Sequence, residues 1–157
     1  MIILHIKDYG DIQLELDHQS APITSQNFED LVKRGFYDGL TFHRIIKGFM
    51  IQGGDPEGTG CGGSGKEIIG EFKANRVNNP ISHKRGVISM ARSRMFNSAS
   101  SQFFICDAND EFLDGQYAAF GHVVQGMEVV DKIASTKTDR NDRPLQNVVI
   151  EKAEFIA

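Results

Sequence analysis

Residues 1–16 read MIILHIKDYGDIQLEL. Apolar and polar residues alternate along this stretch. Ile2, Leu4 and Ile6 fall on one face of an extended chain, and Ile12, Leu14 and Leu16 share a face after the turn at Tyr9-Gly10. A period of two on both sides of a glycine turn predicts a β-hairpin with one buried side. His5 and Lys7 break the apolar run within seven residues, so it has neither the length nor the charge order of a secretory leader.

SAPITSQNFEDLVKRG, residues 20–35, changes the period. Pro22 suits a first helical turn, Ile23, Phe28, Leu31 and Val32 approximate a 3.6-residue stripe, and Gly35 suits the end, which predicts a helix. From Tyr37 to Gln52 the pattern returns to strand, interrupted at Gly48, and a glycine-rich loop follows from Gly53 to Gly65. Further strands are expected at Ile68–Phe72, Gly86–Ala91, Gln102–Cys106 and Tyr117–Val124, with FLDG as a turn between the last two. GMEVVDKIA reads as a second short helix with Met127, Val130, Ile133 and Ala134 on one stripe, and Asn147–Ile156 as a closing strand. About eight short strands and two helices, joined mostly by turns, predict a mainly-β fold. The expected form is a closed eight-stranded antiparallel β-barrel capped by two α-helices, in a single domain over residues 1–157.

Composition narrows the function classes. A chain of 157 residues can bury a sizeable core without metals or disulfides. A net charge of −4 from intermixed acids and bases argues against nucleic acid as a partner. No apolar run approaches the roughly 20 residues of a membrane helix, so a cytoplasmic protein with no membrane partner is expected. Cys61 and Cys106 are expected to be free thiols, the five histidines are scattered, and no metal site or cofactor is predicted. Nothing suggests an oligomer seam, and a monomer is expected.

Two motifs need to be set aside. GCGGSGKE, residues 60–67, contains most of a phosphate-binding loop, but Glu67 stands where the motif needs a hydroxyl for magnesium, and EIIGEF after it is strand-like. SASS, residues 98–101, clusters hydroxyls without a nucleophile elbow. The first is expected to be a glycine-rich surface loop, and the second does not predict a serine hydrolase.

FHRIIKGFMIQGGD, residues 42–55, carries Arg44 and Gln52 inside an apolar run. Alternation would put Arg44 on a face with Phe42 and Ile46, and Met50 with Gln52. One reading lays the arginine stem along apolar surface at a strand edge; the other gives it chemistry. This stretch, with ISMA (88–91), SQFFI (101–105), FLDG (112–115) and FGHVVQGMEVVDKI (120–133), resembles the cyclophilin-type peptidyl-prolyl isomerases in order and approximate spacing over almost the whole chain.

The resemblance implies an isomerase of Xaa-Pro bonds acting on proline-containing peptides and on unfolded or flexible protein segments. Arg44 matches the family's catalytic arginine. Phe49, Met50, Phe104 and Leu113 match the apolar floor and walls of the proline site, and Gln52 a polar residue beside the arginine. Ala91, Arg92 and Gln102 match the adjoining groove, while Phe112 and Tyr117 match rim positions. Phe112 stands where many members carry tryptophan, so cyclosporin is expected to bind only weakly. Arg92 replaces an asparagine and is expected to favour acidic residues near the substrate proline. Met95 and Phe96 are open to two readings, as groove rim or as inward packing. A proline-binding scaffold without catalysis is the competing function class.

Overall fold

The computed structural model describes residues 1–157. Eight strands and two α-helices follow in the order β1 (Ile2–Ile6), β2 (Gly10–Leu16), α1 (Pro22–Lys33), β3 (Arg44–Ile46), β4 (Met50–Gly53), β5 (Val87–Met90), β6 (Phe103–Cys106), β7 (Ala119–Gln125), α2 (Met127–Ala134) and β8 (Ile150–Phe155). The hairpin forms as its alternation requires. Leu4 pairs with Ile12 and Ile2 with Leu14, and all four side chains are buried. Asp8 and Gly10 take left-handed backbone in the turn, with φ of 67° and 120°.

The α1 stripe buries Phe28, Leu31 and Val32, whereas Ile23 lies off it, exposed. Ala21 offers no capping side chain. Glu71 supplies the anion instead, accepting from the Ile23 and Thr24 amides at 3.2 and 2.7 Å and from the Thr24 hydroxyl at 2.6 Å. At the other end Gly35 donates to the Val32 carbonyl and Phe36 to that of Leu31, a Schellman closure that needs the φ of 73° at Gly35. α1 packs on β7 and β8, and α2 on β2, β3 and β4.

All strands belong to one antiparallel sheet in the order β3-β4-β6-β5-β7-β2-β1-β8. The expected closed barrel is corrected here. End strands β3 and β8 share no ladder, and the sheet is an open, strongly curled half-barrel. The edge of β3 is already taken, because the Ile45 amide donates to the carbonyl of Asp142 in the loop before β8. Across the seam there is a single bridge, Thr41–Val149, with hydrogen bonds linking Gly39, Leu40 and Phe42 to Val148 and to Ile150 at the start of β8.

Two strand expectations also change. Ile68–Phe72 makes one bridge, Ile68 to Ala99, and no ladder. Its Gly70 is pressed so closely on the Phe96 carbonyl that a Cβ would lie 2.3 Å away, and Glu71 is turned to the start of α1. Tyr37–Leu40 forms a turn, so the extended run divides into short β3 and β4 around the left-handed Gly48.

Candidate active site

Alternation on β4, β5 and β6 gives the sheet two apolar faces. Ile51, Ile88, Met90, Phe103 and Ile105 point inward and join a cluster of 27 buried residues. Their neighbours Met50, Val87, Phe104 and Cys106 point outward and, with Leu113 and Ala119, form a separate cluster of six. Ile46, Phe49, Ala91 and Tyr117 pack on the second cluster, half-buried. A shallow apolar hollow on the outside of the sheet is the result.

The hollow has a volume of about 130 Å³ and is lined by Arg44, Phe49, Met50, Gln52, Ala91, Arg92, Phe104, Leu113 and Tyr117. Pockets for drug-sized ligands run to about 300–1,000 Å³, so this one suits a single small apolar group. Beside it lies a wider polar groove of about 720 Å³, which shares Gln52, Ala91 and Arg92 and adds Gln102 and the Gly60–Gly65 loop. Phe112 lines neither cavity. Its ring, 73% exposed, stands on the rim at 5.7 Å from that of Phe49.

Arg44 pairs with Gln52 in the β3–β4 register. A chain of donors crosses the boundary between the cavities. Arg44 Nη1 donates to Gln52 Oε1 at 3.4 Å, Gln52 Nε2 to Gln102 Oε1 at 3.0 Å, and Gln102 Nε2 to the carbonyls of Gly60 and Gly62 at 3.0 and 2.8 Å. Arg44 itself is exposed and stands over the hollow. Phe42, expected on its face, lies in the interior core instead, because the chain at Phe42 and His43 is not regular strand and the alternation restarts at Arg44.

The glycine-rich loop is organised by Asp55. This buried carboxylate accepts from the amides of Glu57, Thr59 and Gly60 at 2.8, 3.0 and 2.6 Å. Burial alone would raise its pKa, but these amides bring it below the usual carboxylate range. The loop's amides thus face the protein's own anion, and no helix follows at Lys66.

Sequence reasoning missed His83. It is fully buried, with Nδ1 at 2.8 Å from Asp114 Oδ1 and Nε2 at 2.9 Å from the Ser89 hydroxyl. Its ring stacks behind that of Phe104, at 6.0 Å and 16°. His83 therefore backs the floor of the hollow and ties β5 to the turn that carries Leu113. Burial holds its imidazole below the ordinary histidine pKa, partly offset by Asp114. Asp114 lies 31 residues away, and no local pattern announces the pairing.

Comparison with known proteins decides the family. The model of the cyclophilin-type peptidyl-prolyl cis-trans isomerases matches residues 1–155. The chain belongs to that family. It is an isomerase of this class. A peptidyl-prolyl cis-trans isomerase-like 1 of Rhizopus delemar is 50% identical over 135 residues, covering 85% of this chain and 80% of its own. The isomerase ppi1 of Schizosaccharomyces pombe is 44% identical over 145 residues, 92% of each chain. Among solved structures, a cyclophilin of Cryptosporidium parvum crystallised in the presence of the dipeptide Ala-Pro is 32% identical, with a TM-score of 0.91 over 99% of this chain and 98% of its own.

In this cyclophilin both cysteines are free, Cys61 exposed in the loop and Cys106 buried behind the hollow. Burial pushes the Cys106 thiol well above its ordinary pKa, with Asp110 adding to the effect. Met95 is exposed and Phe96 partly so; the Phe96 ring turns edge-on to Phe72 at 5.2 Å and lines neither cavity. No helix is long and apolar enough to cross a membrane.

Proposed function

We propose that this cyclophilin catalyses rotation about Xaa-Pro bonds by seating the proline ring in the apolar hollow and presenting the Arg44 guanidinium to the prolyl nitrogen. The observation that supports this most is the juxtaposition of one exposed arginine, in no salt bridge, with a hollow sized for one small ring. Phe104, Met50, Leu113 and Phe49 receive the ring. Gln52 orients Arg44, and Gln102 with Ala91 and Arg92 borders the preceding residues. Phe112 and Tyr117 frame the entrance. The Ala-Pro used with the Cryptosporidium relative has the ligand chemistry that this reading assigns to the present chain.

The reaction makes and breaks no covalent bond. Its barrier of about 18–20 kcal/mol is loss of amide resonance, and the uncatalysed step takes roughly tens to hundreds of seconds. A turnover of about 10² per second is some four decades faster, or about 5.5 kcal/mol of selective stabilisation. In the planar imide the nitrogen lone pair is delocalised and accepts poorly. When the bond twists, the nitrogen pyramidalises and its lone pair becomes an acceptor, so a guanidinium placed there binds the twisted state better than either planar isomer. One charged hydrogen bond contributes about 1.5–3 kcal/mol. The remainder comes from a hollow that holds the ring while the preceding carbonyl rotates. A bound peptide also covers Arg44 and removes water from it. The fixed charge and rigid fork of arginine suit this position better than lysine would.

Substrates are proline-containing segments of unfolded or flexible proteins. The reading extends to a monomer in the cytoplasm, where free thiols such as Cys61 are at home, and to weak binding of cyclosporin at the same hollow.

Exchange spectroscopy by NMR on a short Ala-Pro-containing peptide is the direct test. Substoichiometric protein is expected to accelerate cis-trans exchange, and Arg44→Ala to lower kcat by about 10- to 100-fold with the fold intact. Arg44→Lys is expected to recover little of that loss. Binding without acceleration would leave only a scaffold, and an Arg44→Ala variant with unchanged kcat would end the arginine mechanism.

A further inference from the structure

Arg92, expected to favour acidic residues near the proline, has donors already engaged by the protein's own backbone. Nε and Nη2 both donate to the Gln116 carbonyl, at 3.1 and 2.7 Å, and Nη1 donates to the carbonyls of Ser93 and Arg94 at 2.9 and 3.3 Å. Three aromatic rings surround it as well. The guanidinium carbon lies 4.7 Å from the ring centre of Tyr117, 4.9 Å from Phe72 and 5.2 Å from Phe96. A planar cation can stack on rings and donate in its own plane at once, which an ammonium cannot.

The three rings come from separate parts of the chain: Phe72 ahead of the short turn at Lys73–Asn75, Phe96 in the loop before β6, and Tyr117 at the approach to β7. Phe72 and Phe96 meet edge to face, and Tyr117 meets Phe104, the floor of the hollow, at 5.9 Å and 86°. Arg92 also lines both cavities. The charge is therefore the centre of the wall that divides them.

We propose that Arg92 is a positioning residue: it clamps the wall between hollow and groove and sets the register of a peptide that spans both, without reading substrate charge. The inference rests on the isomerase reading above. A substrate confined to the hollow loses less when this clamp fails, and one that continues into the groove loses more. Lysine cannot replace it, because the forked donors and the contacts with the rings are needed together.

The test compares kcat and KM for a blocked Ala-Pro dipeptide and a blocked pentapeptide with three residues ahead of the proline. Arg92→Ala and Arg92→Lys are expected to raise the pentapeptide KM about five- to tenfold, to change its kcat less than about twofold, and to erase most of its advantage over the dipeptide. Phe96→Ala removes one ring from the cage without touching either cavity. It is expected to give about two- to threefold in the same direction and to add nothing in the Arg92→Ala background. This variant carries the test if Arg92→Ala does not fold.

The proposal is overturned if both substrates change equally, if Arg92→Lys matches wild type, or if the Phe96 and Arg92 effects add. It is also overturned if wild type prefers a glutamate over a glutamine ahead of the Ala-Pro pair and Arg92→Gln loses that preference. Failure of the wild-type protein to accelerate either peptide would instead refute the isomerase reading.

Discussion

On β6, Phe103 and Phe104 stand one residue apart and face opposite ways. Phe103, fully buried, meets the rings of Phe28, Tyr37 and Phe42 at 5.4, 5.4 and 5.8 Å inside the 27-residue cluster. Phe104 is only 4% exposed, yet it belongs to the six-residue cluster outside the sheet, and its backing includes the polar His83. The interior is fully enclosed and held mainly by packing, with the Tyr37 hydroxyl donating to the Ser101 carbonyl at 2.8 Å inside it. The outer cluster is one layer deep, open to solvent on one side, and kept in place by the His83–Asp114–Ser89 tie. Near-equal burial thus serves two ends, and what lies behind the side chain tells them apart.

Truncating each ring in turn should give the largest separation. Phe103→Ala is expected to cost about 3–5 kcal/mol in urea unfolding, the usual penalty for deleting a core phenylalanine. Its kcat/KM, corrected for the folded fraction, should stay near wild type. Phe104→Ala opens a space already next to solvent and should cost less stability, while kcat/KM falls at least about tenfold. If Phe104→Ala destabilised as much as Phe103→Ala and activity followed the folded fraction, the two faces would be a single core with no division of labour.

That division was partly legible in the sequence. Strict alternation placed Ile2, Leu4, Ile12 and Leu14 correctly, since a period of two leaves one choice of face once the sheet is given. The motif resemblance named the residues that line the hollow, and all but Arg92 and Tyr117 lie within its contiguous runs. Long-range pairings were not legible. Glu71 caps a helix whose start is 47 and 48 residues away, and its segment reads as a strand only until that demand is known. Arg92 looks like a free charge until Phe72, Phe96 and Tyr117 are brought around it. The open seam between β3 and β8 depends on where the Asp142 carbonyl lands, which alternation does not encode.

A medium-sized effect should appear with pH. Buried His83 titrates below its ordinary range in the folded protein, whereas the unfolded chain takes up its proton near pH 6.5. Between those two values acidification favours the unfolded state, so this contribution to stability is lost as pH falls below about 6.5 and levels off once the folded pKa is passed. His43 acts with the same sign; burial lowers its pKa, and neither of its ring nitrogens has a hydrogen-bond partner. His5 acts oppositely. Its hydrogen bonds to Glu154 and Asp11 raise its pKa, and its contribution is lost as pH rises. Urea midpoints are expected to fall from pH 7 to pH 5, with a shallower slope in His83→Gln and a steeper one in His5→Gln. His83→Gln should also raise the peptide KM, since Phe104 loses its backing, and His5→Gln should not. Equal effects of the two variants on KM would mean that the outer face does not depend on its polar support.

The smallest effect belongs to Phe112, which is on the outer face without being part of its packing. At 73% exposure, with its ring tilted 31° against Phe49, it contributes little to the fold. Replacing it with tryptophan is expected to leave stability within about 0.5 kcal/mol, as for most surface changes. Peptide turnover should stay within about twofold, because the hollow is lined without this residue. What the substitution adds is an indole N–H on the rim. One new hydrogen bond of about 1 kcal/mol corresponds to roughly fivefold in affinity, and calorimetry with cyclosporin is the measurement sensitive to it. A fivefold gain in cyclosporin binding with unchanged peptide kinetics would separate rim from floor as cleanly as Phe103 is separated from Phe104. A change in peptide kinetics of equal size would instead extend the hollow outward to include its rim.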